Sequence, residues 1–274
     1  MRQFDHYPLY INYADRWEEV RRRQIRDFTA QHDAKMVNWL RGTGKQLYEV
    51  TEDKTPSAAA KAFEDQVYEL LQKKISVTTM GKMLLNALKR DVKYWIVPLD
   101  AQNKRLCKCS AMTFPGAPKE GGGVRVYFNP TDWTGTWQTP DDVLFHELVH
   151  AYRMGRVGYS HLNKSGMTDY DDGEEFLALQ LQNMYLADRG SKRFYLAYKR
   201  PWLNGSKDEA YEYYARSAEV PIAFRSFSRG EPLATAVSHW KAPPNGFNPW
   251  RDQPIIEQNY LKQTPGITSL PAVQ

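Results

Sequence analysis

The chain has 274 residues, 42% of them hydrophobic and 25% charged, with a net charge of +5 at pH 7. That length buries a core without staples, and that composition excludes a disordered chain. The excess of basic residues is scattered, and its densest cluster, Arg21-Arg22-Arg23 with Arg26, is interleaved with Glu18, Glu19 and Asp27. It reads as a solvated helix face, so no nucleic-acid partner is expected.

Residues 1–13 show no basic patch followed by a long apolar run, so a cleaved secretory leader is not expected. The longest apolar stretch, 94–99, is far too short to cross a bilayer. The chain is expected to be made soluble and either to stay cytoplasmic or to be secreted or delivered into a target cell by a route without such a leader. Over 13–42, Trp17, Val20, Ile25 and Phe28 share one side of a helix with 3.6 residues per turn. A polar stretch with Pro56 then separates this helix from two more, over 58–73 and 79–90. Residues 1–91 are thus expected to form a helical region, for docking or secretion or as part of the same domain, ahead of a catalytic region over 92–274.

Residues 92–97 are β-branched and aromatic and end at Pro98, which predicts a strand. A long loop follows, passing Cys107, Cys109 and Phe114-Pro115-Gly116. Two thiols one residue apart make no disulfide framework and lack neighbours for a metal site, so they read as bystanders. A second strand is predicted over 124–128, and its Gly-rich approach at 121–123 suits a sheet edge.

Next comes a helix with a well-marked start: Thr139 at the N-cap, Pro140 at the first position, then Asp141 and Asp142 in the first turn. It is expected to end at Gly155. After a polar loop, 174–187 resumes a helical pattern, and Ser206-Lys207-Asp208-Glu209 is a capping box opening another helix. The tail from residue 242, rich in proline, is expected to wrap the surface or to move.

The chemistry lies in His146-Glu147-Leu148-Val149-His150. Two histidines one helical turn apart project from one face and can approach a single zinc ion. Glu147 can reach a metal-bound water without being a ligand. Such a site needs a third protein ligand and leaves a fourth position to water. Glu174 and Glu175 are the helix candidates, and His161 is a rival in the loop. Asp169, Asp171 and Asp172 read as loop and cap residues, while His6, His32 and His239 read as structural or exposed. Tyr198 and Arg200 are possible donors to an oxyanion.

The run from His146 to Tyr152, a Gly-containing loop, and then Glu174-Glu175-Phe176-Leu177-Ala178 resembles the pattern of bacterial effector-type zinc metallopeptidases delivered into other cells. Locally, Glu175-Phe176-Leu177-Ala178 is similar to the third-ligand helix of anthrax lethal factor. The resemblance covers roughly 92–190. It implies an α+β, mainly helical, zincin-like fold with a small sheet whose edge strand, 123–130, comes just ahead of the active-site helix and aligns the substrate. It also implies Glu175 rather than Glu174 as the zinc ligand, and Tyr170 as the counterpart of a tyrosine that serves the oxyanion, at a shorter spacing. One departure is that gluzincins often place an Asp four residues after the third ligand, where this chain has Ala178 or Leu179. The expected function is a zinc endopeptidase acting on a protein or peptide extended along the edge strand. The alternatives are a zinc amidase acting on cell-wall peptides and a zinc-containing toxin or binding module without catalysis. Oligomeric state is not legible.

Overall fold

Apolar side chains alternating along short strands give the sheet one face for a helix and one for a separate apolar cluster. The computed structural model describes residues 2–11, 58–99, 111–115, 123–131, 138–157, 170, 173–197, 204–241 and 246–270. The helix expected over 13–42 lies outside these residues. The chain divides into two compact units, one formed by residues 1–76 and 88–159, the other by 77–87 and 160–274. No described helix is long and apolar enough to cross a membrane.

The first unit holds a five-stranded mixed sheet: β1 (Arg2–Gln3), β2 (Leu9–Ile11), β3 (Tyr94–Pro98), β4 (Ala111–Pro115) and β5 (Val124–Phe128), in the order β1-β2-β3-β5-β4. β5 runs parallel to β3 and antiparallel to β4. This corrects two expectations. The strand before the active-site helix is interior, and among the described strands the two edges are β1 and β4. The five residues of β5 are all buried, Arg125 included, as a strand covered on both faces requires. Gly123, at φ +120°, does not blunt an edge; it admits the neighbouring strand, since a Cβ there would come 2.3 Å from the Lys93 carbonyl oxygen. The segment around Phe114-Pro115, expected as loop, forms β4.

Register sorts the faces. Thr113 pairs with Val126, which pairs in turn with Ile96. Met112, Phe114, Tyr127, Val97 and Trp95 belong to the opposite face and pack together with Leu99. The helix-bearing face receives α3 (Pro140–Val157), while α1 (Ala58–Leu70) and a π-helical turn, Leu71–Ile75, complete the unit. Arg2 lies over the Tyr68 ring at 3.4 Å and pairs with Asp65, which ties the first strand to α1.

Contrary to expectation, α3 does not stop at Gly155 but continues to Val157. Gly155 is there for close approach. A Cβ on it would lie 2.1 Å from the Tyr94 hydroxyl of β3, which itself accepts a hydrogen bond from the Lys89 backbone N–H.

In the second unit α2 (Thr79–Ala87) packs on α4 (Gly173–Asp188). Asp188 accepts the Met80 backbone N–H at 2.8 Å and so places a carboxylate at the start of α2. α4 is buried along nearly its whole length, amides included. Asn183 satisfies both ends of its amide on Tyr195 of β6 (Phe194–Tyr195), which pairs with β7 (Asn204–Gly205). Ser206 caps α5 (Lys207–Tyr214) in the expected reciprocal box with Glu209. Then come α6 (Glu219–Gly230), α7 (Pro232–Ser238) and α8 (Gln253–Gln263).

The described tail does not lie loosely on the surface. Phe247 is fully buried and stacks on Phe194 at 4.2 Å, and the Asn248 side chain donates to the Val237 carbonyl. Pro254 stands in the first turn of α8, where proline is favourable, so it starts a helix rather than breaking one. Asp252 accepts from the Tyr211 hydroxyl and from Arg251. Burial pushes its carboxyl up, but the hydrogen bonds from Arg251 and Tyr211 and the charge of Lys207 outweigh this and hold it below the usual range.

Two outcomes follow. Gly155→Ala, which on an open helix would stabilise by about 1 kcal/mol, should instead cost roughly 1–3 kcal/mol, and Tyr94→Phe should recover part of that loss; urea unfolding midpoints read both. Asp252 has a depressed folded pKa, so its contribution is present above its unfolded value, near 4, and is lost as pH falls through the folded value. Asp252→Asn should therefore destabilise at pH 7 by about 1–3 kcal/mol, and the gap from wild type should narrow as pH falls below the unfolded value and through the lowered folded one, as measured by unfolding across acid pH.

Candidate active site

The start of α3 is fixed by its own sequence. The Thr139 backbone N–H donates to Asp142 at 3.1 Å, and the Thr139 carbonyl accepts from the backbone of Asp142 and Val143. With Asp141 and Asp142 in its first turn, the helix has its positive end neutralised. Leu144, Phe145, Leu148, Val149 and Ala151 are fully buried. That apolar anchorage sets the rotation of the helix and hence the direction of the polar residues between them.

His146, Glu147 and His150 retain 7%, 8% and 8% exposure, so they lie below the surface without being sealed off. The Nε2 atoms of His146 and His150 are 3.0 Å apart, with the rings inclined at 76°. Two nitrogens this close either share one N–H or direct both lone pairs at one cation. For Zn–N bonds of about 2.0–2.1 Å, a tetrahedral angle needs roughly 3.4 Å between the nitrogens, so an adjustment of a few tenths of an ångström suffices. The donor set fits a borderline-soft divalent metal.

Glu147 is held from the sheet. The Thr113 hydroxyl lies 2.6 Å from its Oε2 and 3.1 Å from its backbone carbonyl. Thr113 carries no local mark of a site, because Pro115-Gly116 suggests a loop there. The available signal was the short Ala-Met-Thr-Phe run, whose Thr and Phe favour a strand.

The remaining candidates are placed as follows. Glu174, buried, and Glu175, part-buried, form the acidic first turn of α4 in the second unit. Tyr170 is buried, packs edge-on to Phe176 at 5.0 Å, and donates its hydroxyl to the Leu196 carbonyl at 2.7 Å. His239 sets its Nδ1 at 3.0 Å from the Thr235 carbonyl at the end of α7, a local contact. His6 stands beside Tyr7. His32, Cys107, Cys109, His161, Asp169, Asp171, Asp172, Tyr198 and Arg200 lie outside the described residues.

Compared with known proteins, residues 51–184 match the model of the peptidase M91 family, described as effector protein. The matched stretch contains β3 to β5, α3 and the acidic first turn of α4. It supports a bacterial effector metallopeptidase family. No curated protein and no solved structure matches the chain.

Proposed function

With residues 51–184 matched to an effector peptidase family, we propose that the chain is a zinc-dependent endopeptidase, delivered into target cells, that cleaves a protein there. The observation that carries this reading is the convergence of the two Nε2 atoms of His146 and His150 at 3.0 Å, with the Glu147 carboxylate next to them in sequence. The proposed ligands are His146, His150 and Glu175, with Glu174 as the alternative third ligand. A zinc ion bound there supplies a Lewis acid for the scissile carbonyl and lowers the pKa of a water molecule.

Glu147 accepts a proton from the attacking water and passes it to the leaving nitrogen, so that the amine departs neutral. β4, one of the two edges among the described strands and the one beside α3, offers its backbone groups to an extended substrate. Tyr170 is the proposed donor to the oxyanion. Its hydroxyl now serves the Leu196 carbonyl, so this role requires that bond to open.

Metal analysis tests the ligands. Wild type should bind one zinc per chain, His146→Ala and His150→Ala should each lose it, and Glu175→Ala should lose more than Glu174→Ala does. Glu147→Gln tests the chemistry. It should keep the metal and lose on the order of a thousandfold or more in rate, followed as new N-termini in a target-cell lysate. Cleavage by Glu147→Gln at the wild-type rate would refute the mechanism.

A further inference from the structure

We infer that Thr113 is a positioning residue that holds the Glu147 carboxylate in its working orientation, an inference that rests on the peptidase reading above. Thr113 has one hydroxyl hydrogen and two acceptors near it, Oε2 of Glu147 at 2.6 Å and the Glu147 carbonyl oxygen at 3.1 Å. The shorter contact is to the group that carries charge, and a charge-assisted hydrogen bond is about twice as strong as a neutral one. The hydroxyl proton therefore belongs to the carboxylate.

Thr113 suits the task because it is itself fixed. It pairs through its backbone with Val126, and its β-branched side chain has few rotamers. Met112 and Phe114, on either side of it, are committed to the opposite face beside Tyr127, so a slip of one residue would turn both toward α3 and take the Thr113 hydroxyl away from Glu147. Glutamate, by contrast, has three side-chain torsions to fix before it can accept a proton in one direction. The interior strand next to Thr113 carries Val124 and Val126 on the same face. A valine would fill the Thr113 position equally well, and what threonine adds is the hydroxyl. Because β4 is also an edge among the described strands, the element proposed to align the substrate is tied directly to the group proposed to take the proton.

The test needs one readout without catalysis and one with it. In the full chain treated with chelator, Thr113→Val, Glu147→Ala and the double variant form a cycle read by urea unfolding. Thr113→Val should shift the unfolding constant by about tenfold with Glu147 present and by less than about twofold without it. A tether to the helix carbonyl alone would give the same shift in both backgrounds and overturn the inference. For catalysis, the probe is a synthetic peptide spanning a bond whose cleavage is found by new N-termini in target-cell lysate. Thr113→Val should lower kcat by about tenfold or more with KM changed less than about twofold, and Thr113→Ser should restore most of it. Wild-type kcat in Thr113→Val, or an equal loss in Thr113→Ser, would contradict the assignment. Glu147→Gln run alongside separates the failures: if it cleaves as wild type does, the peptidase reading falls, whereas the unfolding cycle still reports the bond between Thr113 and Glu147.

Discussion

Everything proposed for the site depends on how closely α3 lies on the sheet. At the C-terminal part of the helix, Gly155 has no side chain because the Tyr94 hydroxyl occupies the place where a Cβ would be. Near the middle, Thr113 reaches from β4 to Glu147. One contact is steric and the other a hydrogen bond, and both restrict the same two bodies. A helix held against the sheet at β3 and again at β4 is restrained from rolling, so the direction in which His146 and His150 point follows from the packing of Leu144, Leu148 and Ala151 beneath them.

That restriction also explains why two imidazoles can be held 3.0 Å apart. In water they would turn away to find solvent partners. Here, with exposure of only 7% and 8%, they are largely withdrawn from water, and an interaction with a cation counts for more than it would in solvent. The Glu147 carboxylate is set as deeply, at 8% exposure, so its bond to Thr113 counts for more than it would in water.

The elements that could be read from the sequence were those whose signals are local. Thr139, Pro140 and the two aspartates marked the start of α3, Ser206 and Glu209 marked α5, and the β-branched and aromatic run marked β3. The histidine spacing needed only the pitch of a helix. What stayed hidden was set by long-range pairing. Whether β5 is an edge depends on β4, from a segment that Pro115 and Gly116 disguised. The two-residue and three-residue strands at the N-terminus have no periodicity to detect, and β2 becomes a strand only because β3 lies beside it. Gly155 looked like a helix stop because a terminal glycine and a glycine of close approach are the same letter. The tail misled for a related reason: its prolines suggested irregular chain, while Phe247 and Trp250, buried in the second unit, decide its course. Thr113 was missed because its partner is 34 residues away in sequence.

Whether His146 and His150 hold a catalytic zinc ion, as proposed, is decided by diffraction from zinc-soaked crystals on both sides of the zinc absorption edge. An anomalous peak about 2.0–2.1 Å from both Nε2 atoms is the predicted result. A map with no peak there, in which the two rings share a single N–H instead, would contradict it.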